Sequence, residues 1–377
     1  MKTRVGVIFG GRSGEHDISV RSAATVIEQL DHTKYSVFPI AIDHSGQWLD
    51  PKASVALLPP GAAERIASDV AEIAVDSVAL IADPKYKGLT DLKKAGSDEA
   101  VRLLDVVFPV LHGTYGEDGT IQGVFEMADI PYVGCGVLAS SCGMDKVTMK
   151  SLFVQAGLPI CKHEWFLRSE FEKDEETVLN RVEAALRYPV FVKPANLGSS
   201  VGISRAETRG ELRSAIVVAA QYDRRLIVEE GLKMREIECA ILGNDDPSAS
   251  LPGEYIIRDT SKAFLDYTEK YDGTGNNEFT VPAPVSAELA AKIQELAVRA
   301  FKAVDGSGLA RVDFFLRTDN GALLVNEINT MPGLTSASGY PKMWKGSGKE
   351  FTNVIDDLIR LAFERHADRK RNRTTKD

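Results

Sequence analysis

Twice along this chain a short apolar run ends in a glycine-containing loop and is followed by a helical pattern, which restricts the N-terminal part to an open α/β sheet. Val5-Gly6-Val7-Ile8-Phe9 reads as a buried strand, Gly10 to His16 as the loop, and about Ser19 to Leu30 as a helix. The second unit runs from Asp105 to Leu111, through His112-Gly113-Thr114-Tyr115-Gly116-Glu117-Asp118-Gly119, into a helix near Thr120 to Ala128. Ligands of open α/β sheets gather beyond the carboxyl ends of the strands, so Glu15 and His112 are expected at ligand-facing positions on one cleft. Between the units, residues 50 to 100 show no recognisable chemistry and read as a scaffold insertion.

The length of 377 residues predicts two or three domains and a site at a seam between them. A net charge of −9 opposes the general attraction to phosphate backbones, so nucleic acid is not an expected partner. Cys135, Cys142, Cys161 and Cys239 form no Cys-x-x-Cys pair and read as free core thiols, and no His-Glu-x-x-His zinc pattern occurs. No apolar run reaches the ~20 residues of a membrane helix, and no signal-peptide pattern opens the chain, so a cytoplasmic location is expected.

Further along, helices are expected from about Lys146 to Gln155 and Asp174 to Leu186, with strands at Val190 to Lys193 and Leu226 to Glu230. Arg311 to Leu316, a turn at Thr318 to Gly321, and Leu323 to Asn329 read as a hairpin. A last amphipathic helix, roughly Asn353 to His366, precedes a polar tail, Arg369 to Asp377, whose composition predicts disorder.

The sharpest chemical pattern lies on that hairpin. Period-two geometry puts Glu327 and Asn329 on one face of their strand, while Asp313 projects from the partner strand. Convergence on one face requires a loop of odd length, so a three-residue turn at 318 to 320 is expected, with Gly321 left-handed after it and Arg311 opposite Glu327. Oxygen donors without imidazole or thiolate select a hard ion, magnesium held together with nucleotide phosphates. Lys193 ends an apolar strand and is followed by Pro194 to Gly202, whose glycines, hydroxyls of Ser199 and Ser200, and backbone N–H groups suit phosphate oxygens. Lys146 can reach the same phosphates. Glu229 and Glu230 close a strand whose edge and carboxylate can read a purine amino group, and Glu236 lies within reach of a ribose.

Two alternative patterns fail. Gly134-Cys135-Gly136-Val137-Leu138-Ala139 matches a dinucleotide fingerprint, but no acidic residue ends a second strand about 20 residues later. The Val192-Lys193 strand lacks the His-Arg-Asp loop of a protein kinase, and Asp313-Phe314-Phe315 is not Asp-Phe-Gly.

Taken together, Gly10 to Ser19, His112 to Gly119, Met144-Asp145-Lys146, Val192-Lys193-Pro194 with Gly198 to Gly202, and Asn326 to Thr335 resemble the D-alanine–D-alanine ligase family of the ATP-grasp superfamily over nearly the whole chain. The resemblance implies a three-domain architecture: a Rossmann-like parallel-sheet domain over 1–142, then α+β ATP-grasp parts over 143–228 and 229–368, and a disordered tail over 369–377. It implies that ATP phosphorylates the carboxylate of one D-alanine and that the amine of a second attacks the acyl phosphate, in peptidoglycan precursor synthesis. Asp313, Glu327 and Asn329 would hold two Mg2+ or Mn2+ ions, Lys146 and Lys193 would contact phosphates, and Glu229 and Glu236 would serve adenine and ribose. Glu15 would anchor the first D-alanine ammonium, with Ser199 and Tyr271 completing its network. His112 would lie near the first carboxylate, Arg311 and the Gly333 backbone would stabilise the oxyanion, and Ser338 would bind the second carboxylate.

The segment Phe264 to Asn277 reads as a polar lid that delivers Lys270 and Tyr271 on closure. Tyr271, in place of the phenylalanine of some depsipeptide-forming relatives, favours an amine nucleophile. Gly339, where relatives carry a larger apolar residue, predicts room for D-serine in the second subsite. A homodimer is the family expectation. D-alanine–D-serine and D-alanine–D-lactate ligases are the neighbouring readings. A sensor that binds ATP without catalysis would be expected to lack a metal ligand or Arg311, and none is replaced.

Overall fold

A computed structural model describes residues 2–71, 78–84, 88–91, 104–198, 201–257 and 277–373. Strands β1 (Thr3–Gly10) and β2 (Tyr35–Ile42) are joined by the helix His16–Gln29. After a small β3–β4 hairpin (Val78–Ile81, Gly88–Asp91), β5 (Val106–Val110) completes a parallel sheet in the order β2-β1-β5. These strands read as unbroken apolar runs because helices cover both faces: Val5, Val7, Ile8, Phe9 and every residue of β5 are buried. The loops after β1 and β5 therefore leave one edge together, and the Ser13 hydroxyl donates to the His112 carbonyl across them at 2.8 Å.

Strands β6 (His163–Leu167), β7 (Val190–Pro194), β8 (Ser204–Ala206) and β9 (Arg225–Glu230) form an antiparallel sheet ordered β6-β9-β7-β8, backed by the helices Glu175–Ala185 and Arg209–Ala219. The third sheet takes β10 (Met234–Gly243), β11 (Ser248–Ala249), β12 (Gly253–Ile257), β13 (Asn277–Thr280), β14 (Gly308–Arg317) and β15 (Leu323–Asn329), in the order β13-β12-β10-β14-β15 with β11 against β10. Its core is closed by the helix Ala287–Ala303, capped by the Ser286 hydroxyl. Met149 and Phe153 of the helix Lys146–Gln155 pack into this third core, not into that of the preceding sheet.

The C-terminal helix spans Phe351–Arg369 and packs Val354, Ile355, Leu358 and Ile359 onto the core of the parallel sheet. It outruns the expected boundary at His366, and the start of the expected disordered tail is ordered: Arg369 pairs with Glu126, and Lys370 reaches Asp129 at 3.1 Å. These ion pairs supply partners that composition does not reveal. The four cysteines are free, three of them buried.

Candidate active site

The hairpin β14–β15 shows how the sequence builds one wall. Val312, Phe314 and Leu316 point into the core, which leaves Arg311 and Asp313 on the other face. On β15 the buried residues are Val325 and Ile328, three apart, so the alternation breaks between them. The break is a β-bulge: Asp313 lies opposite Glu327, yet Phe314 lies opposite Val325, with Asn326 the extra residue.

This corrects the expected register. Arg311 faces Asn329, not Glu327, and the connecting loop 318–321 has four residues, closed by Arg317 N–H to the Ala322 carbonyl at 2.9 Å. An even loop alone would put Glu327 opposite Val312 on the buried face; the bulge turns it by one residue onto the face of Asp313. Gly321 is left-handed as expected, with φ 71°.

Two carboxylates directly opposite each other destabilise a sheet unless a cation holds them. Here each has one. Arg311 grips Asp313 through two bonds of 2.7 and 2.6 Å, and Lys146 stands 3.7 Å from Glu327 while donating to the Leu197 carbonyl at 2.7 Å. Arg311 also lies 3.4 Å from the buried Glu238. The Asn329 side-chain oxygen accepts from Met331 N–H at 3.0 Å.

Glu229, the residue expected at adenine, lines the cavity and is held there by two of the protein's own cations. Its carboxylate is buried between Lys193 at 2.6 Å and Lys150 at 2.9 Å. Burial opposes its charge, but the two ammonium groups outweigh burial and hold the carboxyl far below the ordinary range. Burial likewise opposes the charge of Lys150, and Glu229 reverses that and holds the ammonium above its usual value. Lys150 also donates to the carbonyl of the bulge residue Asn326 at 3.2 Å. Sequence reading passed over this lysine. Its signal was its place four residues after Lys146, within the same helix face as the buried Val147, Met149 and Phe153. Glu230 accepts from Lys162 N–H at 2.8 Å, and Glu236 lines the cavity from β10, opposite Phe315.

The other wall comes from the parallel-sheet edge. The His112 Nδ1 lies 3.0 Å from the Met331 carbonyl and Nε2 lies 3.1 Å from the Ser22 hydroxyl. A carbonyl only accepts, so Nδ1 carries the proton and Nε2 accepts from Ser22. Burial pushes the imidazole pKa down, against the pull of Glu15, which matches this neutral tautomer. His112 and Ser22, which also accepts from Leu334 N–H at 3.3 Å, thereby tie down the loop that contains the buried Gly333. Both ring nitrogens of His112 are thus engaged within the protein.

Glu15 and Glu117 approach the same point. A Cβ placed on Gly198 would lie 3.5 Å from a Glu15 oxygen and 3.7 Å from a Glu117 oxygen, and one on Gly113 would lie 2.7 Å from Glu15. Glycine at both positions keeps that space open. Glu117 is buried, its Oε2 meets no hydrogen-bond partner among the described residues, and burial together with neighbouring Glu15 pushes its carboxyl up to about 8. It sits inside the His112–Gly119 motif, where the sequence alone assigns it no role.

Ser338 is buried, with its hydroxyl 2.7 Å from that of Thr335. Gly339 overturns the expectation of an enlarged subsite. A Cβ there would meet a Glu238 oxygen at 2.4 Å and the Phe279 ring at 2.9 Å, so neighbouring side chains already occupy the space.

Glu15, Glu117, Lys146, Lys193, Arg311 and Asp313 line one cavity of about 230 Å³, together with Glu229, Glu230, Glu236, Glu327 and Asn329. His112, Gly333, Ser338 and Gly339 stand outside its lining. Ser199, Ser200, Lys270 and Tyr271, with most of the lid segment, lie outside the described residues.

Comparison with known proteins places this geometry. The family model described as D-ala D-ala ligase N-terminus matches residues 4–135, and that described as D-ala D-ala ligase C-terminus matches residues 152–360. A D-alanine–D-alanine ligase of Acetivibrio thermocellus is 46% identical over 370 residues, covering 97% of each chain. The solved D-alanine–D-alanine ligase of Coxiella burnetii superposes with a TM-score of 0.80 at 37% identity, covering 98% of this chain and 96% of its own. The VanG D-Ala:D-Ser ligase of Enterococcus faecalis superposes with a TM-score of 0.80 at 36% identity, covering 96% of this chain and 100% of its own. With both halves matched, the full length shared and a charged cavity at the seam of three sheets, the chain belongs to the D-alanine–D-alanine ligase family.

Proposed function

We propose that the chain joins two D-alanine molecules at the cost of one ATP, through a D-alanyl phosphate. The observation that carries this reading is the cavity's set of exchangeable ion pairs: Arg311 on Asp313, Lys146 near Glu327, and Lys193 on Glu229. Each cation can exchange or share its carboxylate with an incoming phosphate or oxyanion without crossing the site.

In the first step a carboxylate oxygen of D-alanine bonds to the terminal phosphorus of ATP while the bond to the bridging oxygen breaks, releasing ADP. Lys146 and Lys193 counter the phosphate charge during this transfer. Asp313, Glu327 and Asn329 form an all-oxygen donor set suited to two Mg2+ or Mn2+ ions, which supply charge neutralisation of the triphosphate when bound. In the second step the amine nitrogen of another D-alanine attacks the acyl carbon, and Arg311, with the backbone of Gly333, stabilises the oxyanion. Collapse of the tetrahedral species breaks the carbon–oxygen bond to phosphate. Glu15 binds the first ammonium, with Ser199 and Tyr271 around it, and His112, held neutral, positions the loop of Gly333. Ser338 receives the second carboxylate, Glu229, with Glu230 beside it, and Glu236 serve adenine and ribose with Ser200 beside the phosphates, and Lys270 arrives with the lid. Glu229 also holds Lys193 and Lys150 in place.

The same reading takes the chain as three domains divided near residues 142 and 228, with a homodimeric, cytoplasmic protein feeding peptidoglycan assembly. No described helix is long and apolar enough to cross a membrane. Release of ADP in a coupled assay should require both D-alanine and Mg2+; ADP formation indifferent to D-alanine would end the proposal. Mass spectrometry of products from competing D-alanine, D-serine and D-lactate tests the second subsite. The filled space at Gly339 leads us to expect D-alanyl-D-alanine as the main product, and Tyr271→Phe should raise the share of depsipeptide.

A further inference from the structure

We propose that His16, His44 and Asp17 form a binding site for one transition-metal ion of the zinc class, separate from the oxygen-donor set of the cavity. One ring nitrogen from each histidine and one Asp17 carboxylate oxygen lie within 4.8 Å of one another. A tetrahedral zinc ion holds nitrogen and oxygen donors about 2.0–2.2 Å away, so its donors stand roughly 3.3–3.6 Å apart, a geometry reached by reorienting the exposed His44 and Asp17 side chains.

His16 is the fixed member. It is only 6% exposed, and its Nδ1 lies 2.9 Å from the Gly11 carbonyl. That carbonyl can only accept, so Nδ1 carries the hydrogen and the lone pair is on Nε2, for which the described residues provide no hydrogen-bond partner. An imidazole pinned through its other nitrogen to a backbone carbonyl is the arrangement by which proteins orient histidine ligands for metal. Gly10 makes room for it: a Cβ there would lie 2.9 Å from His16 Cε1.

His44 is the adjustable member. Its ring lies over that of His16, with centroids 3.8 Å apart and planes at 25°. Its backbone sits in a turn in which the Asp43 carboxylate accepts from Ser45 N–H at 2.8 Å and Gln47 N–H at 2.9 Å. The turn holds the residue above His16, while the exposed ring is free to tilt until its lone pair converges on the same point. Asp17 is exposed and has no ion pair among the described residues. The nearby cation, Arg12, lays its guanidinium over the Tyr115 ring at 4.7 Å. Two neutral imidazoles and one carboxylate give a site of charge −1 that favours a borderline metal over Mg2+. His16 opens the helix that follows β1 and His44 stands in the turn after β2, so no sequence motif announces the pair. An ion here would clip the loop after β1, next to Glu15, to the turn after β2.

The test is zinc titration of the intact protein by calorimetry in millimolar Mg2+, which keeps the cavity carboxylates occupied. Wild type should bind one Zn2+ that His44→Ala and Asp17→Asn weaken by roughly tenfold or more, whereas Cys142→Ser, which removes the partly exposed thiol, should leave it intact. Co2+ bound to wild type should show a tetrahedral absorption band that His44→Ala lacks. Equal zinc affinity and stoichiometry in wild type, His44→Ala and Asp17→Asn would overturn the site, as would the absence of any zinc uptake by wild type.

Discussion

The two walls of the cavity handle charge in opposite ways. On the side built from β7, β9, β14 and β15, three carboxylates that line the cavity have cations against them: Glu229 has two lysines, Asp313 has Arg311, and Glu327 has Lys146. On the side built from the loops after β1 and β5, Glu117 is buried with an oxygen that finds no hydrogen bond among the described residues, and His112, behind the lining, is held neutral by a carbonyl and a hydroxyl. The first wall pairs its charges; the second uses burial to favour the neutral forms of a carboxyl and an imidazole. A site that must neutralise a triphosphate and also receive an ammonium needs both kinds of surface.

The sharpest way to break this contrast is Glu229→Gln. It leaves Lys150 and Lys193 buried together without their anion, and a loss of about 3–5 kcal/mol of stability is expected in chemical denaturation. A loss below about 1 kcal/mol would mean that the first wall does not depend on paired charge.

Glu117→Gln probes the second wall through pH. The native carboxyl titrates near 8 and the unfolded one near the ordinary glutamate value, so the native state binds the extra proton between them. The stabilising contribution is complete below the unfolded value and is lost as pH rises through about 8, amounting to roughly a few kcal/mol. Denaturation of wild type and Glu117→Gln from pH 5 to 9 should give stabilities that diverge upward in favour of the glutamine variant; parallel curves would count against a protonated Glu117.

Gly339→Ala forces a methyl against Glu238 and Phe279 and should cost about 1–3 kcal/mol, read as a lowered melting temperature. A neutral result would restore the roomy subsite that sequence suggested. The smallest effect is expected for Asp313→Asn, which should raise the Mg2+ concentration needed for half-maximal turnover by about tenfold, or ~1.4 kcal/mol, with D-alanine binding largely unchanged. Unchanged turnover at limiting Mg2+ would remove Asp313 from the metal set.

The helix Lys146–Gln155 matched its sequence expectation residue for residue, because Asp145 caps it and Gly157 follows its end. The hairpin was visible too, but its register was misjudged: the three-residue spacing of Val325 and Ile328 marks a bulge, and reading the turn alone missed it. Lys150 and Glu238 were overlooked because a lone charged residue in an apolar run reads as solvated until its partner is known, and their partners are 79 and 73 residues away (229 − 150 and 311 − 238). The missing bulk at Gly339 was read correctly as a missing side chain but wrongly as open space, since Phe279 and Glu238 come from other strands.

By itself the chain's pattern of apolar periods, glycine loops and oxygen donors determined the sheet types, the loops that border the cavity and the family, because these depend on neighbours within a few residues. The tertiary structure alone decided which charges neutralise one another, which carboxyl keeps its proton and which cavities are filled. Those outcomes depend on distance and desolvation between segments far apart in sequence, and a shift of one residue in strand register reverses them.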